Sequence, residues 1–152
     1  TQRFGLKVPM VYKRGYHRHY HMEMPPHHPI ADFGNSVVMS PMRRGLRIAT
    51  AAELTPHPRL SPPQLKHGEK AARELFDIGA PVEAEPWTGR RPCMPDMLPL
   101  VGRVPDQPNL WAHFGHGHQG FTLGPVTAEI LADELSGGAG WSELQPARLK
   151  RG

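Results

Sequence analysis

Glycine and proline interrupt this chain too often for it to fold as a bundle of long helices. There are 16 glycines and 18 prolines among 152 residues, nearly twice the usual share of these two residues, and both destabilise helix interiors. The share stays below that of low-complexity disordered chains. We therefore expect an α+β fold with short strands, many turns and few helices.

The first half of the chain contains four short stretches that together predict an antiparallel sheet. They are a weak strand broken or edged by its proline at 6–12, a strand at 16–22, a short apolar strand at 36–40, and a stretch at 46–51 whose alternation suits a half-buried strand. Arg43, Arg44 and Gly45 are predicted to form a hairpin turn between the last two stretches. In the second stretch, His17 and His19 are expected on the face opposite Tyr16.

Two helices are predicted. The first covers about residues 61–77, with Ser61 as N-cap and Pro62 in the first turn, where its missing N–H costs nothing. The second covers Pro125 to Leu135 and is followed by a polar segment that we expect to fray. Its buried stripe is predicted to consist of Val126, Ile130, Leu131 and Leu135.

Charge, cysteine content and hydropathy exclude several classes of protein. Residues 1–76 carry 12 Lys and Arg against 5 Asp and Glu. These cations are scattered among prolines, so we interpret them as a solvated surface and predict no nucleic-acid partner. No apolar run approaches the ~20 residues of a membrane-spanning helix, and the one cysteine, Cys93, excludes an internal disulfide. No secretory segment precedes the first motifs, which predicts a cytoplasmic location; peripheral attachment at the inner membrane face stays open.

A glycine-rich turn between a predicted strand and the second helix is the most informative segment. It runs from Phe114 to Pro125 and has glycines at 115, 117, 120 and 124. Glycine adopts positive φ and lets another molecule approach the backbone closely, and a helix N-terminus offers unpaired N–H groups and partial positive charge. The pattern predicts either a site for a group that bears negative charge or an ordinary strand-to-helix turn.

A second segment places two arginines beside an aromatic ring. Trp87 is followed by Arg90 and Arg91, and arginine binds a carboxylate through two parallel hydrogen bonds, which lysine cannot imitate. One of the two arginines is therefore a candidate for binding a substrate carboxylate. The alternative is an ordinary ion pair with Asp96 or Glu85.

A series of motifs follows one another over about residues 8–137. They are Arg14–His17, Gly45–Leu54, Trp87–Pro92, Pro95–Asp96, Leu98–Gly102, Asn109–Trp111 and Gly115–Gly120. In this order and spacing, the chain resembles the C-terminal part of FAD-dependent D-amino-acid dehydrogenases. More broadly, it is similar to the glycine oxidase and D-amino-acid oxidase superfamily.

The resemblance implies a fold. In such enzymes an antiparallel or mixed sheet forms the floor of a substrate domain, and a final strand, glycine turn and helix return to the flavin-binding domain. Residues 1–108, with the helix at about 61–77, would form the substrate-domain-like sheet. Residues 109–137 would form the strand–turn–helix, and residues 138–152 a polar tail.

The resemblance also implies a chemistry and residue roles. A D-amino acid or similar amine would be oxidised to an imino acid by hydride transfer to N5 of non-covalently bound FAD, so no protein side chain is expected to be catalytic. Substrate would be bound by Arg91, with Tyr16 and His118 near the pocket. The pyrimidine edge of the flavin would be lined by Gly115, His116, Gly117, His118, Gln119, Gly120, Phe121, Thr122 and Leu123.

The glycine fingerprint of a dinucleotide-binding fold does not occur in this sequence, so we expect the FAD site to be incomplete. Two interpretations follow. The chain is the C-terminal portion of an FAD-dependent oxidoreductase, or it is a truncated or split-gene fragment without activity alone. The second requires a partner chain with the flavin domain, and the apolar face left without that domain also predicts self-association.

A metal-binding protein is the least favoured alternative. Five of the ten histidines fall at positions 17, 19, 21, 27 and 28, and neutral imidazole suits Zn²⁺ or Cu²⁺. Structural zinc sites usually add cysteines or carboxylates at turn or helix spacing, and this segment does not provide them. We therefore predict no metal site.

Overall fold

The computed structural model describes residues 7–55, 57 and 62–150. Within these ranges there are eight strands and two α-helices. In chain order they are β1 (Val11–Tyr20), β2 (Ile30–Asp32), β3 (Val37–Met42), β4 (Gly45–Thr50), β5 (Glu53–Leu54), α1 (Pro63–Leu75), β6 (Trp87–Cys93), β7 (Leu100–Arg103), β8 (Trp111–Phe114) and α2 (Gly120–Leu135). The chain divides into two compact units, Arg14–Arg90 and Thr1–Lys13 with Arg91–Gly152.

The larger sheet has the strand order β2-β3-β4-β1-β5, and β6 also pairs with β1. β1 and β4, β2 and β3, and β3 and β4 are antiparallel pairs. Arg43 and Arg44 form the two-residue turn of the β3–β4 hairpin, as the sequence predicted. Gly45 has φ 114°, and a Cβ there would collide with the carbonyl oxygen of Tyr20, so this strand start requires glycine.

The core of the Arg14–Arg90 unit lies between this sheet and α1. Its buried residues are Tyr20, Val37, Met39, Leu46, Ile48, Leu65, Ala71, Ala72 and Ile78. A Cβ added at Gly68 would lie 3.0 Å from Cγ2 of Val37 and 3.2 Å from Cγ2 of Ile48, so glycine lets the helix lie close to the strands. Pro62 precedes the helix as N-cap residue. The predicted N-cap, Ser61, lies outside the described residues.

The other unit contains the smaller sheet, in which β7 and β8 pair antiparallel. Its core consists of Met94, Leu100, Val104 and Ala112. The C-terminal segment was expected to fray, but Leu144 and Pro146 are buried, and the Leu144 carbonyl accepts a hydrogen bond from the Val101 N–H at 2.8 Å. The segment is therefore held by two buried apolar residues, which its mostly polar composition did not predict.

Helix α2 begins five residues earlier than predicted. A 3-10 turn, Gly117–Gln119, leads directly into it, and Pro125 lies inside the helix rather than at its first position. The predicted buried stripe was also wrong, because Val126 and Leu135 are exposed and only Thr127 is fully buried. A two-stranded sheet offers too little surface to cover a 16-residue helix.

The predicted fold class is confirmed: antiparallel sheets are combined with a C-terminal strand, glycine turn and helix. None of the helices in the described ranges is long and apolar enough to cross a membrane.

Candidate functional site

Two glycines of the turn are required by the chain's own packing. Gly115 and Gly117 have φ of 85° and 56°. A Cβ at Gly115 would lie 3.0 Å from Cγ of Met94, and one at Gly117 would lie 2.9 Å from Sγ of Cys93. The interpretation as an ordinary strand-to-helix turn therefore accounts for these two positions.

Gly120 and Gly124 have no such internal reason. Both are helical, and glycine in a helix costs roughly 0.5–1 kcal/mol relative to alanine. Among the described residues, a Cβ at Gly124 would meet nothing within 4 Å, and one at Gly120 would meet only Cβ of His116, at an ordinary 3.5 Å. Between them, the side chain of Phe121 is 100% exposed. The first turns of α2 thus present a bare surface on which a group outside this chain can approach the backbone.

The N-terminal end of α2 has no capping side chain on its N-cap residue. Gln119 makes no side-chain hydrogen bond there, so it does not cap the amides of the first turn, such as those of Phe121 and Thr122. They lie at the positive end of the helix dipole. His118 and Gln119 are exposed beside them, and Leu123 is half-buried. Chemically, this surface suits a planar group with negative charge on one edge.

His116 belongs to a hydrogen-bonded cluster that the sequence reasoning missed. The Nε2 atoms of His113 and His116 both lie 2.9 Å from Oγ1 of Thr127, and that hydroxyl donates to the Leu123 carbonyl at 2.7 Å. A hydroxyl has one proton and two lone pairs, so both imidazoles donate to it through their Nε2–H groups. The spacing His113-x-x-His116 across the turn was the available signal.

His116 does not bring positive charge to the turn at neutral pH. Burial lowers the pKa of His116, and the neighbouring His113 lowers it further. The two rings meet edge to face with their centroids 4.9 Å apart. At neutral pH, His116 is therefore uncharged. Its side chain links the glycine turn to α2 through the hydrogen bond to Thr127 instead of pointing outward.

Arg91 lies half-buried on β6, and its guanidinium makes no hydrogen bond or ion pair with any residue that the structure describes. One of the two expected competitors is occupied, because Asp96 pairs with Nε of Arg148 at 3.1 Å. Burial of Asp96 opposes ionisation, but Arg148 and the Leu98 N–H outweigh it and lower the pKa of this carboxyl. Arg90 is exposed. Arg91 is thus the arginine of the pair that is available to an external carboxylate.

Tyr16 lies in the Arg14–Arg90 unit. Its side chain is buried, and its hydroxyl donates to Oε2 of Glu53 at 2.9 Å. No group of three or more His, Cys, Asp or Glu within the described ranges is arranged to hold a metal ion.

Comparison with known proteins identifies the family. Residues 1–134 match the model of the DAO family, described as FAD dependent oxidoreductase. The chain belongs to this family. The D-amino acid dehydrogenase of Paramagnetospirillum magneticum is 35% identical over 88% of this chain, and D-amino acid dehydrogenase 2 of Pseudomonas aeruginosa is 32% identical over 86%. The match covers 32% of each of these relatives, so the chain spans about a third of their length.

Solved structures show the same fold. Glycine oxidase from Geobacillus kaustophilus superimposes with a TM-score of 0.72 at 20% identity, covering 95% of this chain and 40% of that one. Iminodiacetate oxidase from Chelativorans sp. BNC1 gives 0.69 at 23% identity, covering 93% and 41%. This DAO-family chain therefore has the fold of the corresponding part of these enzymes.

Proposed function

We propose that this chain supplies the carboxylate-binding residue and one edge of the flavin site of an FAD-dependent enzyme that oxidises D-amino acids. The observation that carries the proposal is the first part of α2, where two helical glycines without a packing role accompany uncapped amides. The remainder of the FAD site would come from a flavin-binding domain, on the same polypeptide or on a partner chain.

The residues present fit a flavin edge. The bare surface at Gly120 and Gly124 admits a flat ring close to the helix backbone, and the amides of Phe121 and Thr122 would donate to the pyrimidine-edge atoms where negative charge develops. Gly115 and Gly117 hold the turn on Cys93 and Met94. His116 fixes the turn to α2 through Thr127. FAD, when bound, supplies the hydride acceptor for oxidation of the amine.

The substrate would be oriented by its carboxylate. Arg91 is half-buried, and its guanidinium has no partner among the described residues. A two-point hydrogen-bonded pair fixes both the position and the rotation of a carboxylate. His118 is exposed next to the flavin-edge amides and is proposed to border the substrate. Tyr16, whose hydroxyl direction is set by Glu53, is proposed as a further pocket residue.

The test uses this chain alone and a chimera in which it replaces the matched third of the Paramagnetospirillum D-amino acid dehydrogenase. We expect visible flavin absorbance near stoichiometry in the chimera, bleached by D-alanine under anaerobic conditions. Colour in the chimera but not in the isolated chain supports a site shared with a second domain. A folded chimera that stays colourless with added FAD overturns the proposal.

A matched pair of variants in the chimera tests whether the uncovered surface at Gly120 and Gly124 contacts FAD. Gly124→Leu places a bulky side chain on the bare surface, so it should abolish FAD binding. It should leave the isolated chain folded, because nothing within 4 Å would be displaced. Ala128→Leu, one turn further along the exposed side of α2, is the control and should retain FAD. Equal flavin content in the two variants contradicts the proposed placement.

A further inference from the structure

An arginine that forms no ion pair with any residue the structure describes lies on the larger sheet, in the Arg14–Arg90 unit. Arg47 pairs across the β1–β4 ladder with His19 and across the β3–β4 ladder with Ser40. Its neighbours in β4, Leu46 and Ile48, point into the core and are fully buried, so Arg47 projects from the face opposite α1. We call this face, with His17, His19 and Arg47, the open face.

The guanidinium of Arg47 is poorly satisfied. Its Nε is shielded from solvent and has no hydrogen-bond acceptor within the part of the chain that the structure describes. The same described residues give its side chain no ion pair. A partly buried charge is normally paired or hydrogen-bonded, because removing it from water costs free energy. An arginine in this state has hydrogen-bonding capacity for an external anion.

Glu83, whose negative charge acts on His17, already has partners of its own. Glu83 accepts from Nδ1 of His19 at 2.8 Å and from the His19 backbone N–H at 2.9 Å. It also pairs with Nη1 of Arg44 at 3.0 Å. Glu83 therefore pairs with His19 and Arg44, and no acidic residue in the described ranges forms an ion pair with Arg47.

Two stacked aromatic rings lie on the same face as Arg47. The His17 ring stacks on Trp87, with centroids 4.6 Å apart and planes at 19°. Trp87 in turn lies over Gly89, where a Cβ would collide with its ring. Burial lowers the pKa of His17, Arg47 and His19 lower it further, and Glu83 opposes them. The imidazole therefore lies within electrostatic reach of Arg47 and is neutral near pH 7.

We propose that the open face binds the carboxylate of a small ligand at Arg47, with His17 and Trp87 as its apolar wall. The planar guanidinium donates in a fork that matches a carboxylate, and the stacked rings cover the hydrocarbon part of the ligand. This inference goes beyond the proposed function, which assigns a carboxylate to Arg91 in the other unit. The ligand is either the amino acid itself or a separate carboxylate metabolite.

The experiment uses the His17 ring as reporter. The ring protons of His17 are followed by NMR in the 152-residue chain at constant ionic strength, with succinate as the probe and uncharged succinamide as its control. We expect saturable shifts with succinate alone, and an increase in the pKa of His17 because the bound anion offsets the charge of Arg47. A parallel titration with D-alanine separates the sources: a matching shift identifies the amino acid carboxylate, and its absence identifies a separate carboxylate.

Two glutamine variants complete the test. Arg47→Gln should weaken succinate binding at least about tenfold, the scale of a lost charge-assisted hydrogen bond, and should raise the pKa of His17 in the free protein. Arg44→Gln removes a nearby arginine that already pairs with Glu83, so it should change the affinity less than about twofold. Arg47→Lys, which keeps the charge, gives the comparison if the glutamine variant does not fold. Equal shifts by succinate and succinamide, or unchanged affinity in the folded Arg47 variant, would overturn the proposal.

Discussion

Of the two helices, the one with the more polar sequence is the more deeply buried. α1 has a polar sequence, yet it buries Leu65, Gly68, Ala71 and Ala72. α2 is far more apolar, yet it fully buries only Thr127, and Phe121 at its start is completely exposed. Composition alone predicts the reverse.

The difference lies in what each helix is packed against. α1 lies on the face of a broad sheet whose inward side chains include Val37 and Ile48, and a glycine lets it come close. α2 has only the two-stranded β7–β8 sheet of its own unit, so most of its apolar surface has no partner in the described structure. Under the proposed function, α1 maintains the fold, and α2 presents its first turn to FAD and its apolar side to a flavin domain.

The largest effect is expected at the core face of α1. Leu65→Ala should lower the free energy of unfolding by about 2–5 kcal/mol, because it removes buried methyl groups and leaves a cavity. Urea unfolding of the isolated chain measures this. Leu75→Ala on the same helix is the control, since Leu75 is exposed, and it should change the stability by less than about 1 kcal/mol. Similar losses for both would remove the distinction between the two faces of α1.

The next effect is expected in the unit that contains α2, and it concerns binding rather than folding. In the chimera, Arg91→Lys should raise KM for D-alanine about 10- to 100-fold, because lysine cannot reproduce the two-point contact with a carboxylate. The unfolding midpoint should not change, since the Arg91 side chain makes no hydrogen bond or ion pair within the described residues. Arg90→Lys is the control. An unchanged KM in the Arg91 variant, with an increased KM in the Arg90 variant, would reassign the role to Arg90.

The contrast between the helices also explains how far the sequence predicted the fold. The β3–β4 hairpin depends on Arg43, Arg44 and Gly45, which are adjacent, so a local pattern was sufficient. The start of α2 was misplaced because Pro125 looks like a first helical residue, whereas the helix continues N-terminally into the 3-10 turn. The exposure of Val126 could not be predicted from periodicity, which reports an apolar face but not whether anything covers it.

The candidate site was predictable to a similar extent. The glycine turn and the arginine pair could be recognised because their residues are close together in the sequence. However, only the fold reveals that Gly115 and Gly117 serve internal packing while Gly120 and Gly124 do not. Thr127 carries no sequence signal, because its role depends on two histidines, 14 and 11 residues away. Likewise, Arg148 removes Asp96 from competition for Arg91 across 52 residues.

A smaller effect is expected at the one buried residue of α2. Thr127→Val keeps the shape but removes the hydroxyl that accepts from His113 and His116, so the unfolding free energy should fall by about 1–2 kcal/mol. Thr127→Ser keeps the hydroxyl and is the control. ¹⁵N NMR of the two rings gives a second measurement: the Nε2–H tautomer should dominate in the wild type and in Thr127→Ser and become mixed in Thr127→Val. Unchanged tautomers in the valine variant would contradict the hydrogen-bond assignment.

The smallest effect on stability is expected where α2 is most exposed. Phe121→Ser removes the largest apolar side chain of the first turn, but no contact within the chain is lost because the ring is fully exposed. The free energy of unfolding of the isolated chain should therefore change by no more than about 0.5 kcal/mol, an order of magnitude below the upper end of the Leu65 effect. Urea unfolding at two protein concentrations is the measurement, with Val126→Ala as a partly exposed control. If the variant loses more than about 1 kcal/mol of unfolding free energy, and the loss grows with protein concentration, α2 is covered by a second copy of the chain. The two helices would then differ only in whether the same chain or a second copy buries them.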